Sequence, residues 1–278
     1  MKKIALGFSV ISCCLCLFLT SCNYDEKQSS EIIKSDKFVD IGTHKLRVVL
    51  SDINSEYTIV LESGGGQYSE AYQEVQDTLA KLTGTRVMSY DRSGFGQSEL
   101  GPDIFDATDE VDALKKCLEV QGFKDKFILV GHSYGGLLIQ LFTLRYPDLV
   151  SGLVLIDPMN VEFVDKFGYE NLNAVTPYFE NPTENYEKAG NRMVDSFADT
   201  LKVMRDKELP NQVPVLLITA GNAPFSEEMW RESHERMVVN SENHTLRIAE
   251  GNNHDILFEN PELVLNTIKE LINRIKSK

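Results

Sequence analysis

Short apolar runs alternate along this chain with segments whose apolar residues recur at helical spacing. The runs "KFVDI", "HKLRVVL" and "YTIVLE" predict three early strands. "SEAYQEVQDTLAKLTG" predicts a helix, because Val75, Leu79 and Leu82 share a face, Ser69 stands at the N-cap and Gly84 lies just past the end. "TRVMSYD" predicts the next strand, and "TDEVDALKKCLEVQG" a helix capped by Thr108 or Asp109 and stopped at Gly122. "KFILV" is apolar throughout, as a parallel strand buried on both faces must be. A helix to Arg145 follows, then the strands "LVLID" and "VPVLLIT". A helix around "SEEMWRESHERMVV", the strand "HTLRIAE" and a closing helix with Asn260 as cap and Pro261 at its first position complete the order.

Strand alternating with helix predicts an α/β protein with a mostly parallel sheet covered on both faces. The alternation stops between Asp157 and Val213, where aromatic and acidic residues fill helical pieces and no strand pattern persists. This stretch, about 158–212, predicts a helical cap inserted before the penultimate strand, over the sheet edge where open α/β sheets bind ligands. The body spans residues 37–278, long enough for one large domain with an ample core.

The N-terminus changes the picture of where that domain works. Lys2 and Lys3 precede an apolar stretch too short for an ordinary membrane span, and polar residues begin after Cys22. Leu19-Thr20-Ser21-Cys22 resembles the lipobox of bacterial lipoproteins. The resemblance implies a signal peptide over 1–21, acyl chains on Cys22 and attachment to a membrane of the cell envelope, with the domain outside the cytoplasm. Residues 22–36 are then a polar tether, poor in apolar side chains. Of five cysteines only Cys117 lies in the body, on the apolar face of a predicted helix, so no disulfide can form within it.

The formal net charge of −14 becomes −16 once Lys2 and Lys3 leave with the signal. An acidic body excludes nucleic acid as a natural partner, since a phosphate backbone requires a basic stripe. Neither His-Glu-x-x-His nor a Cys/His cluster occurs, so no metal is expected.

Chemistry concentrates at "VGHSYGG", where Gly131-x-Ser133-x-Gly135 lies between the buried strand and its helix. This pattern is the nucleophile elbow: a tight turn with small flanking residues exposes the serine hydroxyl, and the N–H of Tyr134 faces the same space. With "LESGGG" and "YDRSGFGQS", the chain resembles the α/β-hydrolase superfamily over nearly everything after the tether. The resemblance implies a serine hydrolase fold with Ser133 as nucleophile and His254, in "EGNNHDI", as base, and it implies no cofactor. It places oxyanion donors at the N–H groups of Gly65 (Gly66 next) and Tyr134. The family's loop often reads His-Gly; here Glu62-Ser63 precedes Gly64-Gly65-Gly66 and the usual histidine is missing, a departure that leaves the backbone N–H in place. Asp91 and Arg92 are expected to pin their own turn.

The orienting acid is open between two positions. The turn after "VPVLLIT" carries Asn222 and no aspartate, whereas Asp157 ends the earlier strand and Glu227 and Glu228 open the next helix. Asp157 is the expected acid. Among the remaining histidines, His132 is expected to pack beside the nucleophile, His44 and His244 to start strands, and His234 to lie on an exposed helix face. Hydrolysis of a small or medium carboxylester is the expected activity. A proline-iminopeptidase-like aminopeptidase, using cap carboxylates such as Glu162, Glu170, Glu180, Glu184 and Glu187, is one alternative. A non-catalytic ligand-binding protein of the same fold is the other.

Overall fold

A computed structural model describes residues 31–277. The expected signal peptide, Cys22 and the first part of the tether lie outside the described residues. The strands are β1 (Ile33–Asp40), β2 (Lys45–Asp52), β3 (Thr58–Glu62), β4 (Arg86–Tyr90), β5 (Phe127–His132), β6 (Val150–Ile156), β7 (Val215–Ala220) and β8 (His244–Ala249). They form one sheet in the order β1-β2-β4-β3-β5-β6-β7-β8. β1 and β2 pair antiparallel, as do β2 and β4, and all later pairs are parallel.

The helices are α1 (Gln76–Thr83), α2 (Ala107–Val120), α3 (Ser133–Arg145), α4 (Val161–Phe167), α5 (Tyr169–Val175), α6 (Asn185–Met204), α7 (Glu227–Val239), α8 (Ile256–Glu259) and α9 (Pro261–Lys276). β5 shows why its sequence is apolar without alternation. Phe127 and Leu129 join the apolar cluster under α2 and α3, while Ile128 and Val130 join the cluster under α1 and α9. α3 is buried nearly all round because it packs on β3, β5 and β6 and against α2, and apolar residues of α4–α6 join the same cluster.

Three expectations need correction. Residues 33 to 36, expected in the tether, belong to the sheet: Ile33 to Asp36 pair with β2, and Asp36 accepts hydrogen bonds from Arg47 Nε (2.9 Å) and Nη2 (2.7 Å). The helix expected from Ser69 is split into a 3-10 turn at Ser69–Tyr72 and α1. Its first turn is tied elsewhere: the Ser69 N–H donates to Asp91 Oδ1 (3.0 Å) and the Tyr72 hydroxyl to the Glu62 carbonyl (3.0 Å). α2 is capped by Asp106, whose carboxylate accepts from Thr108 N and Asp109 N while Asp109 accepts from Asp106 N.

The glycine after the turn at Ser133 is required by its neighbours. A Cβ on Gly135 would lie 2.4 Å from the Ser63 carbonyl and 2.6 Å from that of Glu62, both backbone atoms at the end of β3. Gly122, with φ +84°, has open space around it and needs only its backbone freedom. Gly135→Ala is therefore expected to lower stability by on the order of 3 kcal/mol, and Gly122→Ala by about 1 kcal/mol. Chemical denaturation of both variants tests this, and equal losses would contradict the overpacking account.

Candidate active site

β5 delivers the chain into a turn that an ordinary residue resists. Ser133 has φ +52°, in the left-handed region, and is at once the first residue of α3. The flanking glycines make room: a Cβ on Gly131 would meet the Gly135 carbonyl at 2.6 Å. The turn holds the Ser133 hydroxyl partly exposed at the C-terminal edge of the sheet. The first N–H groups of α3, Tyr134 among them, have no partner within the helix.

His254, in the loop after β8, reaches the serine from the side. Its Nε2 accepts from Ser133 Oγ at 2.9 Å, and its Nδ1 donates to Asp157 Oδ2 at 2.6 Å. Asp157 follows β6 directly, has φ +43°, and is fully buried. Its other oxygen, Oδ1, accepts from the N–H of Ala220 (2.8 Å) and from Trp230 Nε1 (2.8 Å). Burial raises the Asp157 carboxyl, but the hydrogen bond from His254, the nearby His234 and the Trp230 N–H outweigh it and leave the pKa below the ordinary value. Glu227 and Glu228 are exposed on α7, and Glu227 pairs with Arg231 at 3.0 Å. The acid that touches His254 is Asp157.

His234 overturns the expectation of an exposed helix face, being fully buried. Its Nε2 donates to the Pro158 carbonyl (2.8 Å) and its Nδ1 accepts from the Thr219 hydroxyl (2.8 Å), both beside Asp157. Sequence reasoning missed this support, along with Trp230. The legible signal was their spacing of four, which puts both on one face of α7.

His132 packs against His254 with ring centroids 4.8 Å apart, and its Nε2 donates to the His254 carbonyl at 2.9 Å. Its Nδ1 is buried without a partner, near Gly64, whose Cβ position would lie 3.1 Å away. The Gly64–Gly66 loop crosses the start of α3, with a Gly65 Cβ position 3.7 Å from Tyr134 Cβ. Asp91 pins its turn as expected, accepting from Ser69 N and Gln97 N. Arg92 does not: its side chain leaves the turn and ends on Glu62, Ser63 and Gly64. Cys117 is buried as expected, and burial pushes its thiol up to about 12. Among the described residues, no cluster of His, Cys, Asp and Glu is arranged to hold a metal.

Burial, and next the neighbouring His254, pull the His132 pKa down to about 4 from 6.5. Between those values the unfolded chain binds a proton at this site that the fold refuses, so acidification favours unfolding there. The stabilisation is complete above pH 6.5 and is lost as pH falls toward 4. Relative to His132→Gln, the parent should lose on the order of 3 kcal/mol across this window. Denaturant melts at pH 7 and pH 4.5 measure it; parallel losses in both proteins would contradict a neutral His132.

A family model for the alpha/beta hydrolase fold matches residues 57–175. A probable transporter from Hormonema carpetanum is 25% identical, over 86% of this chain and 43% of its own length. A proline iminopeptidase from Saccharolobus solfataricus is 29% identical, over 49% of this chain and 47% of its own. The chain thus spans less than half the length of either relative. Among solved structures, carboxylesterase CesB from Bacillus subtilis superposes with a TM-score of 0.62 at 19% identity, over 87% of this chain and 92% of its own. Strand order, the turn at Ser133 and these matches agree: this chain has the α/β-hydrolase fold.

Proposed function

We propose that this protein is a serine hydrolase working through an acyl-enzyme, with Ser133 as nucleophile, His254 as base and Asp157 as orienting acid. The observation that carries the reading is the hydrogen-bonded chain Ser133 Oγ–His254 Nε2 (2.9 Å) and His254 Nδ1–Asp157 Oδ2 (2.6 Å). Ser133 Oγ attacks the substrate carbonyl carbon as its proton passes to His254 Nε2. The N–H groups of Gly65 and Tyr134 hold the oxyanion, each worth roughly 10²–10³ in rate in a comparable hole. The imidazolium then gives its proton to the leaving oxygen, the carbonyl–oxygen bond breaks, and water repeats the sequence on the acyl-serine.

A carboxylester of small or medium size is the substrate class we favour. An aminopeptidase needs a free carboxylate near the serine for the substrate's amino group, and the cap offers poor candidates. Glu162 is engaged by Lys166 and Arg236, Glu187 closes the capping box of α6, and Glu170, Glu180 and Glu184 are exposed. The resemblance to a proline iminopeptidase over half the chain keeps prolyl amides in the assay panel. For location, we propose that acyl chains on Cys22 hold the domain at an envelope membrane; Leu19-Thr20-Ser21-Cys22 supports it.

Labelling of the purified protein with a fluorophosphonate, followed by turnover of short acyl esters and of N-terminal prolyl amides, tests the reading. Ester turnover is expected. Turnover of prolyl amides alone would move the substrate to peptides, and absence of labelling would leave a binding protein. Ser133→Ala is expected to abolish labelling and turnover with stability nearly unchanged. Asp157→Asn keeps an oxygen for Ala220 and Trp230 but turns an amide toward His254, and should lower kcat by at least on the order of 10². Glu227→Gln and Glu228→Gln should stay near the parent; the reverse ranking would refute Asp157. In cells, Cys22→Ala should shift the protein out of the membrane fraction, and unchanged lipid labelling of that variant would refute the anchor.

A further inference from the structure

Beneath the Gly64–Gly66 loop lies an ion pair that the proposed reaction does not use. Glu62 and Arg92 are 1% and 2% exposed, with Arg92 Nη1 2.7 Å from Glu62 Oε1. The other carboxylate oxygen accepts from the Tyr90 hydroxyl. Taking two charges out of water is unfavourable, and apolar residues of similar volume often serve stability as well or better. What a guanidinium offers here and an apolar pair does not is its fork of donors. Nη1 also donates to the Ser63 carbonyl (2.6 Å), and Nη2 donates to the Gly64 carbonyl (2.7 Å).

The Gly64 carbonyl belongs to the same peptide unit as the Gly65 N–H. The described residues contain no cis peptide bond. In a planar trans peptide the C=O and N–H point in opposite directions, so gripping the oxygen aims the N–H. Three consecutive glycines would otherwise let this segment sample many backbone conformations. The Arg92 guanidinium also lies 5.6 Å from the ring centroid of Tyr134, whose N–H is the second proposed donor. A single side chain therefore contacts the residues or peptide units of both donors.

We propose that Arg92, locked in place by Glu62, is the positioning residue of the oxyanion site and sets the direction of the Gly65 N–H. This rests on the serine-hydrolase reading above. It also explains physically why Glu62-Ser63 can precede the glycines: the acid anchors the arginine that orders the loop. Lysine at 92 would keep the charge but, as a single ammonium on a flexible stem, could not hold both carbonyls in the fork's geometry.

The test is Arg92→Lys, with kcat and KM on an acyl ester and inhibition by a trifluoromethyl ketone, whose serine adduct carries the oxyanion. An oxyanion donor acts in the transition state, so kcat should fall roughly 10²-fold while KM stays within about 3-fold. The inhibition constant of the ketone should rise by a similar factor. A purely structural role would instead lower the melting temperature and the fraction of active sites, leaving kcat per labelled site and ketone affinity intact. That result, or unchanged kinetics, overturns the proposal. Should Arg92→Lys not fold, Glu62→Gln decides by the same readouts, since it keeps an oxygen for Arg92 while removing the charge that locks it and turning an amide toward the Tyr90 hydroxyl, which can accept from it. It should lower kcat roughly 10-fold, and parental kcat and ketone affinity would overturn the proposal. Failure of the underlying reading is distinguishable, because the parent itself would then show neither Ser133 labelling nor ester turnover.

Discussion

The backbone at the end of β5 turns through a left-handed conformation at Ser133, and the rest of the site is arranged around that turn. Such a residue costs on the order of 1–3 kcal/mol and persists only where its surroundings over-determine it. Here they do. The Ser133 carbonyl accepts from the N–H of Met159 (3.0 Å), and the glycine at 135 lets α3 press against the carbonyls at the end of β3. Asp157, the second strained non-glycine residue near the site, is held by its N–H to the Ile218 carbonyl (2.7 Å). Two strained turns at adjacent strand ends, β5 and β6, thus present hydroxyl and carboxylate toward one histidine.

Electrostatics then sort the histidines. His132 and His234 are both driven toward neutrality by burial, and each spends its N–H on a backbone carbonyl. His254 alone bridges a hydroxyl and a carboxylate. Both neighbours support the bridge: His132 holds the backbone of residue 254, and His234 stands 3.8 Å from Asp157 Oδ1 and packs against Trp230, which grips the acid. A buried carboxylate with several donors is a stiff support, and this stiffness is what a tautomer-fixing role needs.

Much of this was legible in the sequence. Apolar continuity marked β5, small residues at 131 and 135 marked the turn, and the family resemblance pointed to His254 and, ahead of Glu227 and Glu228, to Asp157, which the structure brings within hydrogen-bond reach of each other. The missed features are contacts between segments far apart in sequence. The shared face of Trp230 and His234 does not say that it turns toward Asp157 and Pro158, some seventy residues earlier in the chain, so a polar residue on a charged helix read as exposed. Arg92 beside Asp91 looked like part of a turn because its partners, Glu62 to Gly64, lie about thirty residues away on the neighbouring strand. Ser69 failed as a cap for the same reason: tertiary hydrogen bonds claimed its first turn.

The central claim is that hydroxyl, imidazole, carboxylate and two backbone N–H groups form one acyl-transfer site. A crystal structure of the fluorophosphonate adduct measures this directly. The account predicts phosphorus bonded to Ser133 Oγ, with the phosphoryl oxygen about 3 Å from the N–H groups of both Gly65 and Tyr134 and His254 still bonded to Asp157. An adduct on another residue, or a phosphoryl oxygen turned to solvent away from both N–H groups, would contradict it.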